Sequence, residues 1–127
     1  MKCLHIITPV KDSIDSTLET VKAIMESDIL VPFTYTVYND FSTEENTHRL
    51  EEAARQWNFR LVNLSDLTDH PSPNYLLVLQ TAQKEAIEAD AGLLIVESDV
   101  IVKKNTLQSL YNGASETMRN CSRCDNR

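Results

Sequence analysis

The feature that most constrains this chain is the order of its hydrophobic patterns, which alternate between a strand signature and a helix signature along most of its length. Cys3 to Thr8 is apolar, rich in branched side chains and stopped by Pro9, as a buried strand would be. Ile14, Leu18, Val21, Ile24 and Met25 then recur at spacings of three and four, with Asp12 or Ser13 available as N-cap, which predicts an amphipathic helix. Phe33 to Tyr38 is aromatic and β-branched and ends in the polar turn Asn39-Asp40-Phe41-Ser42. Ser42 and Glu45 form a capping-box pattern, and Leu50, Ala53, Ala54 and Trp57 supply the buried stripe of a second helix.

The pattern continues with a short strand over Phe59 to Leu64 and an irregular stretch from Ser65 to Ser72. Ser72 as N-cap and Pro73 at the first helical position predict a long helix through Ala89, with Leu76, Leu79, Ala82, Ala86 and Ile87 facing inward. Gly92 to Val96 reads as a fourth strand, and a last helix is expected from Asn105 with Leu107 and Leu110 on its apolar side. Alternating strands and helices imply a three-layer α/β/α domain around a mostly parallel sheet of these four strands, joined by right-handed crossovers. We expect that domain over 1–113 and a polar tail over 114–127.

Composition removes several function classes. A net charge of -7, with the basic residues scattered, argues against a nucleic-acid surface. No apolar run approaches the roughly 20 residues needed to cross a bilayer, and the opening Met1-Lys2-Cys3-Leu4-His5 lacks the form of a signal peptide, so the expected location is cytoplasmic. With Gly92 and Gly113 as the only glycines, neither a phosphate-binding P-loop nor a dinucleotide fingerprint can be written. Cys121 and Cys124 have metal-like spacing but sit in the polar tail without a second pair, and Cys3 reads as a small core residue.

Acids gather where a parallel sheet binds ligands, beyond the carboxyl ends of its strands. Asp40 ends the second strand, Glu97-Ser98-Asp99 end the fourth, and Thr8-Pro9-Val10-Lys11-Asp12 end the first. Alternation puts Glu97 and Asp99 on one side, a spacing that suits a hard divalent cation held partly through substrate phosphates. The simpler reading is that these acids cap the segments that follow them or face solvent, as most strand-end acids do.

With those motifs in place, the chain resembles the inverting family 2 glycosyltransferases of the GT-A fold. "IITPVKDSIDSTLETVKAIMES" looks like the family's opening strand and helix, and "YNDFSTEEN" is similar to its Asp-Asp-Gly-Ser turn, with Asn39 for the first Asp and Phe41 for the Gly. "PNYLLVLQTAQKEAIEADAG" stands where the family has its Ala-Arg-Asn-x-Gly helix, without the Arg, and "LLIVESDVIV" is similar to the strand bearing the Asp-x-Asp metal motif. The resemblance implies a nucleotide-diphosphate sugar as ligand, usually uridine-linked, with Mn or Mg as cofactor. It implies that Pro9 and Val10 line the base pocket, Asp40 contacts the base, Asp99 binds the metal or its diphosphate, and Glu97 lies near the ribose or the metal. In the family the acceptor site and general base lie C-terminal to the metal motif. The expectation is therefore a donor-binding half, inactive alone, with the base beyond Arg127 and peripheral membrane association only in a longer form.

The same residues bear on three other classes. A receiver-like domain requires an Asp after its third strand, where Asn63-Leu64-Ser65 stands, and a haloacid-dehalogenase-like phosphatase requires its Asp-x-Asp after the first strand. A non-catalytic interaction module draws on Phe41 and the missing Arg. His5 reads as a satisfied histidine beside the sheet and His48 as exposed on its helix, while His70 reaches the site only if its loop folds over it.

Overall fold

The computed structural model describes residues 3–98 and 105–112. Within them β1 (Cys3–Val10), α1 (Ile14–Met25), β2 (Phe33–Asn39), α2 (Glu44–Trp57), β3 (Arg60–Asn63), α3 (Tyr75–Glu88) and β4 (Ala91–Ile95) follow one another, with a 3-10 turn at Leu64–Asp66. Residues 106–112 form further helical turns. The strands pair in parallel in the order β3-β2-β1-β4. The chain thus winds outward from β1 to β3 and then crosses back to place β4 on the other side of β1. This reversal puts the topological switch point, where open α/β sheets bind ligands, at the carboxyl ends of β1 and β4.

The two faces of the sheet are covered unequally. Leu4, Ile6 and Val10 of β1 and Tyr35 and Val37 of β2 pack with Ile14, Val21 and Ile24 of α1, Leu50 and Ala53 of α2, and Leu107. The opposite face carries a smaller cluster in which Ile7, Tyr38 and Leu64 meet Val78 and Ala82 of α3. Ile6 and Ile7 point to opposite faces and both are fully buried, each contributing about 1.5–3 kcal/mol of transfer free energy.

Pro9 does not end the first strand, which continues to Val10. The bond from the Leu4 N–H to the Pro32 carbonyl and that from the Asp40 N–H to the Val10 carbonyl run to the β2 side, whereas the Val96 N–H donates to the Ile7 carbonyl on the β4 side. Alternation makes Pro9 face β4, beyond the last paired residues Ile7 and Ile95, so its missing N–H interrupts no ladder bond.

Three local expectations are corrected. The N-cap of α2 is Thr43, whose hydroxyl accepts from the Asn46 N–H at 3.3 Å, while the Ser42 hydroxyl accepts from the Asp12 N–H at 2.9 Å. The helix α3 begins after Asn74 rather than Ser72, because the Ser72 hydroxyl and the Asn74 N–H both turn to Asp40. Its buried stripe is Val78, Ala82 and Ala86, and Leu76 and Ile87, read as inward, are 67% and 73% exposed. Leu76 lies two positions before Val78 and Ile87 one position after Ala86, so both fall off a stripe of period four, and their apolarity alone concealed this. The predicted tail over 114–127, with Cys121 and Cys124, lies outside the described residues.

Candidate functional site at the carboxyl edge of the sheet

The loops that follow β1 and β2 are clasped together. Asp12 Oδ1 accepts from the Thr43 N–H at 2.6 Å and from Asn46 Nδ2 at 3.1 Å, so this acid caps α2 from the end of another strand. These donors, the Thr43 amide foremost, hold the Asp12 carboxyl below the usual carboxylate range. Lys11 Nζ donates to the Phe41 carbonyl at 2.9 Å and lies 3.6 Å from Asp12 Oδ2. Asp12 and Phe41 both have φ of 61°. An Asp tolerates this left-handed region, but for Phe41, in the place of the resembled turn's Gly, it costs of order 1–2 kcal/mol. The clasp offsets that cost through Lys11 and through the Ser42 N–H, which donates to Asn39 Oδ1 at 3.1 Å.

Asp40 is 8% exposed and has its carboxylate engaged on both oxygens. Oδ2 accepts from the Ser72 hydroxyl at 2.9 Å and from the Asn74 N–H at 2.8 Å, and Oδ1 accepts from Asn74 Nδ2 at 2.9 Å. Asp40 therefore anchors the segment before α3 to the end of β2, and its charge sits at the amino end of that helix, where it is favoured. Asn39 is turned inward, its Nδ2 donating to Thr47 Oγ1 at 2.8 Å and Asn63 Oδ1 at 2.9 Å.

At the end of β4, Val96 is buried and Glu97 is exposed. The Thr20 hydroxyl of α1 donates to the Ser98 carbonyl at 3.1 Å and ties this turn to the larger core. Asp99 lies outside the described residues. Among the described residues no cluster of three or more His, Cys, Asp or Glu side chains is arranged for a metal ion. What this edge offers a cation is the exposed carboxylate of Glu97, an oxygen donor of the kind Mg and Mn accept when phosphates complete the shell. Three grooves lie elsewhere on the molecule: about 380 Å³ between α1 and α2 beside Trp57, about 350 Å³ on the outer side of α3, and about 430 Å³ at the amino end of β2 beside Arg60.

The structure thus brings Pro9, Val10 and Asp40 to one edge, with the Asp40 N–H bonded to the Val10 carbonyl at 2.7 Å. Asn46, Ser72 and Asn74 belong to the same edge and were missed in the sequence. Small polar residues just before or inside the first turn of a helix were the available signal. Of the histidines, His48 is exposed beside Glu52, its Nε2 3.2 Å from Oε1. His5 is buried, with Nδ1 2.8 Å from Thr34 Oγ1, but Nε2 has no hydrogen bond among the described residues, so the expectation of a satisfied histidine holds for one nitrogen only.

No protein-family profile matches the sequence, and no curated protein matches it. Solved structures do match. The chain is 23% identical to residues of S. aureus TarS 1-349, solved with UDP-GlcNAc, with a TM-score of 0.61 over 91% of this chain and 32% of that one. It is 18% identical to the mannosyltransferase PcManGT of Pyrobaculum calidifontis, solved with GDP-Man and Mn2+, with a TM-score of 0.64 over 84% of this chain and 30% of that one. Against glucosyl-3-phosphoglycerate synthase of Mycobacterium tuberculosis the identity is 16% and the TM-score 0.52, over 82% of this chain and 36% of that one. The chain therefore spans about a third of the length of these proteins. No helix among the described residues is long and apolar enough to cross a membrane. Sheet order, strand direction and these likenesses together give the chain the fold of the amino-terminal half of a GT-A glycosyltransferase.

Proposed function

We propose that this chain is the donor-binding part of a glycosyltransferase of the inverting family 2 type, cytoplasmic, binding a nucleotide-diphosphate sugar with a divalent cation and inactive on its own. The observation that carries this reading is the gathering of Pro9, Val10 and Asp40 at the carboxyl edge of a β3-β2-β1-β4 sheet, next to the end of β4. It is supported by nucleotide sugars in two of the similar structures and by Mn2+ in one of them. Pro9 and Val10 would line the base pocket, and Asp40 would shape it by fixing the segment that carries Asn74. Lys11, half-exposed beside Asp12, supplies a positive charge at the same edge for an anionic ligand.

Glu97 and Asp99 would hold the cation, which when bound neutralises charge on the departing nucleotide diphosphate. The chain's own residues bind and orient: the Lys11–Phe41 and Asp12–Thr43 bonds keep the two loops from spreading as a charged ligand enters. A second reading, an interaction module without catalysis, draws on the Asp40 carboxylate being taken up by Ser72 and Asn74. Titrating UDP in the presence of Mg2+ while following backbone amide signals separates the two. Binding is expected to move Asp40 and Glu97 first, with Mn2+ broadening signals around Glu97. No response at millimolar nucleotide would overturn the donor-binding reading.

A further inference from the structure

The segment from Thr68 to Asn74 folds back on the sheet edge and settles the state of His70. Asn74 Nδ2 donates both its hydrogens, to Asp40 Oδ1 and to the His70 carbonyl, each at 2.9 Å. Asn74 Oδ1 is thereby the atom left to face His70 Nδ1, at 3.2 Å. An amide oxygen can only accept, so Nδ1 must carry the proton of a neutral His70 ring. Nε2 is then an unprotonated acceptor, the reverse of the tautomer that a free imidazole side chain prefers. The His70 residue as a whole is exposed. A continuous run of hydrogen bonds links it to the proposed pocket, from Val10 through Asp40 and Asn74 to His70.

Resting on the donor-binding reading above, we infer that His70 Nε2 is a base-reading acceptor that selects nucleotides whose ring carries an N–H. Uracil and guanine present a ring N–H beside a carbonyl, whereas cytosine and adenine present a bare ring nitrogen at the corresponding place, which would oppose its lone pair to that of Nε2. The acid that the resemblance assigns to the base has little capacity left. A carboxylate offers about four acceptor sites, and Asp40 has filled three of them from within the chain. His70 supplies an acceptor one side chain further out, with its direction fixed by Asn74.

Two measurements on the 127-residue chain test this. The first needs no nucleotide: a long-range proton–nitrogen correlation spectrum of the imidazoles at a pH where His70 is neutral is expected to show Nδ1 protonated and Nε2 bare. A ring protonated at Nε2 would overturn the assignment whatever the chain binds. The second compares UDP, GDP, CDP and ADP, with pyrophosphate as a base-free control, all with Mg2+. The wild type is expected to prefer UDP or GDP by about tenfold, the worth of one ordinary hydrogen bond, and His70→Ala to lose that preference with pyrophosphate binding unchanged. His70→Gln, which keeps an acceptor oxygen, should recover part of it. A wild type that binds none of the nucleotides defeats the donor-binding reading itself. A wild type that binds UDP while His70→Ala retains both affinity and preference defeats only the role of His70. Equal weakening of all nucleotides and of pyrophosphate would make His70 a phosphate contact and also overturn base reading.

Discussion

Two regions of this molecule, the carboxyl edge of the sheet and the face beneath α3, treat their polar groups differently. At the edge, Asp12, Asn39 and Asp40 each make two or more hydrogen bonds to neighbouring loops. Beneath α3, His5 Nε2, Thr36 Oγ1 and Tyr38 Oη are buried without a hydrogen-bond partner among the described residues. The strand β2 passes from one regime to the other between Tyr38 and Asn39. Loops have the freedom to bring donors to a carboxylate, whereas a helix seated on a sheet has its side-chain positions dictated by packing.

Glu85 is the exception beneath α3. Arg60 donates to it in bidentate fashion, from Nη1 at 2.6 Å and Nη2 at 2.9 Å, and His5 Nε2 lies 3.5 Å away. Hydrogen bonding to Arg60 holds the Glu85 carboxyl below its usual range and raises Arg60 above its own. Burial lowers the His5 pKa, and Glu85 offsets that only in part. The Tyr38 hydroxyl is pushed up, by burial first and by Glu85 second.

The contrast is open to tests of decreasing size. Asp40→Ala would strand the Ser72 hydroxyl and both Asn74 donors, and should cost about 3 kcal/mol in a urea unfolding titration. A loss below about 1 kcal/mol would show that the edge is no better bonded than the face. Tyr38→Phe, which deletes a buried hydroxyl with no hydrogen-bond partner among the described residues, should be neutral or stabilising by up to about 1 kcal/mol in the same titration. A clear loss would reveal a partner for that hydroxyl and erase the difference between the regions.

The smallest effect needs no substitution at all. A histidine whose folded pKa lies below 6.5 binds its proton more readily in the unfolded chain, so stability is fully present above pH 6.5 and falls as pH drops through 6.5 toward the folded pKa. His5→Gln should remove that slope from unfolding midpoints measured across this interval. The carboxylates contribute on a different part of the axis: the depressed Glu85 and Asp12 stabilise above their ordinary pKa values and lose that contribution only at more acid pH. A slope that survives His5→Gln would place the titrating group elsewhere.

The sequence carried the layers of the fold because alternating periods of two and 3.6 are local properties. Strands β1 to β4 and helices α1 to α3 all fall where Ile6, Val21, Val37, Leu50 and their neighbours suggest. The order β3-β2-β1-β4 was not written in any segment, since nothing in Gly92 to Val96 says on which side of β1 it will pair. At the site, Asp40 was visible as an acid at a strand end. Its three donors were not, because they come from residues more than 30 positions further on. The same distance hid the capping of α2 by Asp12. The buried face of α3 was read correctly at Ala82 and Ala86, whereas Leu76 and Ile87 looked like core and are exposed, and Val78 takes the buried position one turn before Ala82.

Pro9 works as a length gauge for a strand that it does not belong to. It keeps a carbonyl but has no N–H on the side of β4, so past the Val96–Ile7 bond the next donor that could extend that ladder is missing. Glu97, the next residue, is the first one released from the ladder, and it is released at the switch point. An imino acid at the end of β1 thus helps to place a carboxylate that arrives far later in the chain.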